Sequence, residues 1–323
     1  MRTTSGMRIG WRIALRAAVV LAWLAPACLR AAQTEEAPPL FATPELALAA
    51  LQDAVKARAE DPEAMKKLFG SALNEIANPD PVQRENNMKA FAARMAEGAT
   101  LTKKDDQTRV VCLGKESWPF PIPVTKKDDK WFFNVEAGKE EILNRRIGQN
   151  ELSAIELCRA YVQAQREYAL NDRGGEGVME YAQKIRSTPD KKDGLYWETQ
   201  PGGEPSPFGP LIAKAHEEGY GKRDQNAEAP KTRQPFHGYF IKILTKQGKN
   251  APGGKYDYII NGHMVAGFAF LAYPAEWANS GVMTFIVNQQ GKVYQKNWGE
   301  KTAELAPEIK EYDPDTTWTA VQE

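Results

Sequence analysis

The sequence predicts an α+β fold. N-terminal helices and a small antiparallel sheet come first. A long spine helix packed on a four- or five-stranded antiparallel sheet follows. Three observations carry this. Residues 150–169 repeat Leu152, Ile155, Cys158, Val162, Gln165 and Ala169 at three- and four-residue steps, which is one face of a helix. Asn261-Gly262 and Gln290-Gly291 stand between apolar runs in residues 236–298, where two-residue hairpin turns demand positive φ. Thr43-Pro44-Glu45 and Asp61-Pro62-Glu63 each place a cap, a proline and an acid in the order of a helix start.

The elements follow in order. Arg2, Arg8, Arg12 and Arg16 precede any acid, and residues 17–27 are apolar and end in Ala25-Pro26-Ala27. A basic start, a short apolar run and small residues make residues 1–27 a signal peptide, too short to span a membrane. Its removal takes four arginines and no acid, so 38 bases face 42 acids. Cys28 directly after Ala27 is similar to a lipoprotein signal. Ala25 and Pro26 depart from that pattern, so a soluble exported product is expected in place of lipidation at Cys28.

Residues 28–40 read as a linker and 41–136 as an N-terminal α+β domain. Helices are expected over 45–59, 64–69 and 82–97. Short strands should follow at 109–113, 120–124 and 131–135, the middle one irregular because Pro121 and Pro123 remove ladder donors. Helices leading into a curled sheet are similar in order to the cone-shaped nuclear-transport-factor-like fold. Residues 137–323 form the second domain. In it, a helix over 137–147 breaks at Gly148, the spine follows, and a short helix is expected over 178–186. Residues 187–233 are the least regular stretch, with a short helix expected near 211–218, and the sheet occupies 236–298. The tail from 301 should tuck Tyr312 and Trp318 onto the body.

Chemistry is sparse. At 323 residues, 42% hydrophobic and 26% charged with zero formal net charge, the chain builds ordinary cores and offers no basic field for nucleic acid. There is no phosphate loop, no GxSxG, no HExxH and no paired CxxC, so no cofactor or metal is expected. His216 and His263 read as surface residues. His237, between Phe236 and Tyr239 at the start of a strand, is the histidine best placed for a pocket. Arg145 and Arg146 could grip an anion together, or pair with Glu140 and Glu141. Trp118, with Trp131 and Trp197, could line a groove or fill a core. The ligand-pocket candidates are therefore Trp118, Arg145, Arg146, His237, Tyr239 and Asp257. Cys112 and Cys158 could form a disulfide in an oxidising compartment or serve as small core residues.

Several ordered strings resemble the bacterial domain-of-unknown-function family 2950. They are FATPELALAAL, SWPFPIPV, DKWFFNVEAGKEEILNRRIGQNEL, CRAYVQAQREYA, YAQKIRSTPDKKDGLYW, HGYFIKILTKQG and SGVMTFIVNQQGKVYQKNWG. The resemblance implies an exported envelope protein and brings no catalytic residues with it. The C-terminal half, through AIELCRAYVQAQREYA, GYFIKIL and AYPAEWANSGVMTFIVNQQGKVY, also looks similar to type IV pilin and pseudopilin globular domains. It departs from them because its apolar N-terminal segment lies about 120 residues before the spine. The expected function is a non-enzymatic interaction or assembly module with an envelope protein partner. The alternative is an envelope hydrolase, His237 acting with a carboxylate such as Asp257, or a small-ligand binder with a cleft near His237.

Overall fold

A computed structural model describes residues 37–200, 202–220 and 234–322. The expected signal peptide and Cys28 lie outside these residues. Thr43 caps the first helix, its hydroxyl accepting from the Leu46 amide at 3.3 Å, and α1 (Pro44–Ala57) buries Ala47, Leu51 and Ala54. Two short helices follow, α2 (Ala64–Phe69) and α3 (Leu73–Ile76). Asp80 caps α4 (Pro81–Glu97) by accepting from the Val82 and Gln83 amides at 2.9 and 3.2 Å. Strands β1 (Ala99–Lys103), β2 (Thr108–Leu113), β4 (Val124–Lys127) and β5 (Lys130–Phe133) form an antiparallel sheet in that order. The two residues of β3 (Trp118–Pro119) pair with β2. Phe69, Phe91, Phe120 and Phe133 interlock between these helices and this sheet, with ring centroids 5.1–6.4 Å apart.

Helix α5 (Val135–Tyr168) runs 34 residues without interruption, correcting the expected break at Gly148. Asn134 caps it by accepting from the Ala137 amide at 3.0 Å. A mid-helix glycine costs about 1 kcal/mol relative to alanine, and packing on both sides of Gly148 exceeds that. Before it, Val135 belongs to the N-terminal core; after it, Ala154, Leu157, Cys158, Tyr161, Val162, Ala164 and Tyr168 belong to a second core. Glu156, Arg159, Gln163, Arg166 and Glu167 face out, as the sequence predicts, whereas Leu152 is 65% exposed and lies off the stripe.

The second sheet is antiparallel, in the order β14 (Thr319–Ala320), β13 (Tyr294–Lys296), β12 (Thr284–Asn288), β11 (Ala269–Pro274), β6 (Tyr239–Leu244). Every residue of β11 and β12 is buried, so the sheet is covered on both faces. Tyr161 of α5 stacks on Phe270 at 4.3 Å, fixing one covering layer. Leu271 points the other way and pairs across the ladder with Lys242, whose ammonium donates to the Pro307 and Ile309 carbonyls at 2.8 Å. The C-terminal tail, including α7 (Thr302–Leu305), therefore covers the opposite face. Tyr312 and Trp318 are buried in it, as expected.

Asn261-Gly262 makes a tight turn with φ of 52° and 91°, but it joins only β9 (Ile259–Ile260) and β10 (His263–Met264). The chain then leaves that pairing and enters β11. Just before, β7 (Lys246–Gln247) and β8 (Tyr256–Asp257) form another two-residue pair. The helix expected over 178–186 is absent. The buried Gln165 amide takes both backbone groups of Ala182 at 2.8 Å, and the Tyr181 amide donates to the Met264 carbonyl. Those groups are thus unavailable to a helical ladder. Helix α6 (Gly209–Glu218) lies where a short helix is expected. Among the described residues no helix is long and apolar enough to cross a membrane.

Candidate functional site

The two cores meet at a polar seam built by four segments. The α4 start supplies Asn78, Asp80 and Gln83. The middle of α5 supplies Arg146 and Asn150, and the turn before β6 supplies His237. The β11–β12 loop supplies Asn279 and Ser280. Asn150 falls on the apolar stripe of α5 and is 2% exposed. A buried amide must be hydrogen-bonded, and the seam satisfies it as one directed chain. Asn150 Nδ2 donates to the Ser280 carbonyl at 2.9 Å, and Gln83 Nε2 donates to Asn150 Oδ1 at 2.7 Å. Asn78 Nδ2 donates to Gln83 Oε1 at 3.0 Å, and the Asp80 amide donates to Asn78 Oδ1 at 3.0 Å. A backbone carbonyl closes one end and a backbone N–H the other. The direction of every amide between them is therefore fixed.

His237 reads that direction. Gln83 Nε2, already a donor, lies 3.1 Å from His237 Nδ1. Nδ1 must accept, so the proton of the neutral ring sits on Nε2. Glu218 Oε2 approaches Nε2 at 2.9 Å without the alignment of a hydrogen bond. Burial pulls His237 below the ordinary histidine value, while Glu218 and Asp80 pull the other way and Lys214 adds to the lowering. The turn is strained at His237, with φ of 46°. Gly238 follows at φ 73°, where a Cβ would meet Asn150 Nδ2 at 2.7 Å.

Tyr220 completes this end. Its hydroxyl donates to Asp80 Oδ2 at 2.6 Å, and burial raises its proton affinity, with Asp80 adding to the effect. The rings of Tyr220 and Phe236 lie 5.1 and 4.3 Å from the His237 ring. Both also line a cavity of about 230 Å³ whose other walls are Leu157, Ile185, Phe208, Leu211, Ile212, Ala215 and Ile241, with Arg186 and His216 beside them. An apolar cavity thus abuts the His237 end of the polar seam.

The sequence-predicted residues disperse around this arrangement. His237 lies at its centre. Arg146 is buried in the seam, donating to Asn279 Oδ1 at 2.6 Å and to the Ile76 carbonyl. Burial lowers its proton affinity and Glu276 offsets this. Arg145 turns elsewhere, to Glu141 at 2.7 Å, the Pro119 carbonyl and the face of Trp118. The two arginines therefore form no shared anion clamp. Arg94 also lies over Trp118, at 5.3 Å. Tyr239 is a core residue whose hydroxyl donates to the Met283 carbonyl at 2.9 Å. Asp257 is an exposed residue of β8 opposite Lys246, and the carboxylates facing His237 are Glu218 and Asp80. Cys112 and Cys158 are both free thiols; Cys158 is sealed in the second core, where burial pushes it up to about 12.

His216 is exposed, and His263 is half-buried, 3.3–3.4 Å from Glu180 and Glu176. Among the described residues no group of three or more His, Cys, Asp or Glu could hold a metal ion. Sequence reasoning missed Asn78, Asp80, Gln83, Asn150, Glu218 and Tyr220. Only Asn150 carried a legible signal, an amide in the register of the apolar stripe. A family model described as a protein of unknown function (DUF2950) matches residues 39–321. No curated protein and no solved structure matches the chain. Matched from before the first helix to the last strand, the chain belongs to the DUF2950 family.

Proposed function

We propose that this protein is an exported, non-enzymatic binding module whose apolar cavity receives one aromatic or branched apolar side chain of a protein partner. The cavity carries this reading. Its volume of about 230 Å³ exceeds the roughly 150 Å³ of an engineered cavity that binds benzene. It falls below the roughly 300–1,000 Å³ of ordinary small-molecule sites. That is the size of a single anchor residue, and such anchors dominate interface energetics. The hydrolase alternative has less support: the Ser280 hydroxyl is engaged with Glu276 backbone groups at 2.9 and 3.1 Å, so the seam offers no free hydroxyl nucleophile beside His237.

Toluene is the simplest mimic of the anchor. Titrated into the purified protein at pH 7.5, it should shift the methyl resonances of Leu211, Ile212 and Leu157. Ala215→Leu, which fills the cavity from α6, should abolish those shifts while leaving the thermal midpoint unchanged or higher. Toluene shifts that are absent in the wild type, or unaffected by the substitution, would count against the cavity as a binding site. Export rests on the basic and apolar start of the sequence. Cell fractionation with the mass of the mature chain tests it, and a full-length cytoplasmic product would refute it.

A further inference from the structure

We infer that the protonation state of His237 sets the affinity of the apolar cavity, the neutral ring holding it ready and the imidazolium disabling it. This rests on the reading of the cavity as a binding site and adds its regulation. The argument starts from the fixed direction of the amide chain. Gln83 Nε2 faces Nδ1 at 3.1 Å and is held in that orientation by Asn150 on one side and Asn78 on the other. A second proton on the ring would set an N–H against an N–H. Gln83 cannot turn its amide over without opposing donor to donor at Asn78 and acceptor to acceptor at Asn150. The imidazolium must therefore leave Gln83 for its acidic neighbours.

Those neighbours hold the cavity wall. Among the described residues, α6 faces His237 with Glu218 and Lys214, the α4 cap with Asp80, and the segment after α6 with the Tyr220 hydroxyl. From α5 and the β11–β12 loop the nearby seam groups are the neutral Asn150 and Ser280. Arg146 lies one turn before Asn150 on α5, bonded to Asn279, which donates to Glu276. The end of α6 is tied to α4 by Asn86 Nδ2, which donates to the Glu218 carbonyl at 2.8 Å, and by Tyr220 on Asp80. An imidazolium drawn to Asp80 competes with Tyr220 for the same carboxylate. Movement of the ring also strains Phe236, its chain neighbour across a backbone already at positive φ. Tyr220 and Phe236 are both cavity walls. One protonation thus shifts two walls and the anchor of the helix that supplies Leu211, Ile212 and Ala215.

The test follows the imidazole and cavity resonances by NMR between pH 8 and pH 5, with and without toluene. Three results are expected. The Tyr220 and Phe236 ring signals move with the titration of His237. Toluene affinity falls at least about fivefold across the transition. Glu218→Gln, which removes a carboxylate favouring the cation, moves the transition to lower pH. His237→Asn retains a residue suited to positive φ and keeps an acceptor facing Gln83, but has no proton to gain; its rings and affinity should not change with pH. Rings that ignore the His237 titration overturn the inference. So does wild-type toluene affinity that is flat across it, and in that case the binding site itself stands. If toluene fails to bind at every pH while the rings follow His237, the anchor-pocket reading falls and the coupling of His237 to the cavity walls is upheld.

Discussion

Asn150→Asp tests the seam at its most constrained point. The substitution is isosteric and replaces Nδ2, which donates to the Ser280 carbonyl at 2.9 Å, with a second oxygen. At neutral pH two acceptors would oppose each other at a position 2% exposed. Losing a hydrogen bond costs about 1 kcal/mol, and leaving a desolvated, unpaired acceptor adds about 2 kcal/mol. The deficit at pH 7.5 should therefore be about 3 kcal/mol, the equivalent of a new carboxyl raised by roughly two units above the unfolded value near 3.9. The sign follows from linkage. The folded state holds the proton more tightly, so the penalty is full above the folded value and disappears as pH falls toward the unfolded one. By pH 5 about half should be gone, because the protonated carboxyl donates to Ser280 as the amide did. Urea unfolding of variant and wild type at both pH values measures the difference, and the contribution of His237 cancels in it to the extent that the two sites act independently. A variant as stable as the wild type at pH 7.5, or a deficit unchanged at pH 5, would refute the fixed direction of the amide chain.

Three further substitutions probe α5. Gly148→Ala should raise the urea midpoint, by the equivalent of about 0.5–1 kcal/mol of unfolding free energy, because a Cβ there meets nothing within 4 Å. Gly138→Ala should lower it, since a Cβ there would lie 2.7 Å from the Pro121 carbonyl. Gln165→Leu leaves both backbone groups of Ala182 unpaired in the second core; it should cost about 3 kcal/mol and abolish hydrogen-exchange protection at the Ala182 amide.

Local chemistry made the helix starts legible. Thr43 and Pro44 act within three residues of the first turn they set, and the unbroken apolar runs of β11 and β12 are likewise a property of neighbours. Gly148 was misread because its local cost is real and the packing that outweighs it comes from two cores distant in sequence. Residues 178–186 carry a helical pattern, yet Gln165 claims their backbone from another element. Strand β1 alternates only weakly, with Ala99 and Leu101 half-buried among threonines and a lysine, too short an apolar pattern to mark a strand. The candidate site was legible at Arg146 and, above all, at His237. Its partners lie on α4 and α6, up to 154 residues away in sequence, and nothing in the composition of Gln83 or Glu218 marks them as neighbours of an imidazole.

The position of α5 has a consequence for how the chain is made. Its first half docks on elements already synthesised, so the N-terminal core can close early. Its second half presents Tyr161, Val162 and Tyr168 to strands that begin only at Tyr239 and end with β14 at Thr319–Ala320. Until Tyr239 is made, only the segment holding Ala182, Leu195, Trp197 and Phe208 can pack on that stripe, and a chain cut short of β14 leaves the outer side of β13 unpaired. The nascent protein therefore carries a partly covered apolar helix face on a finished platform until the last residues arrive.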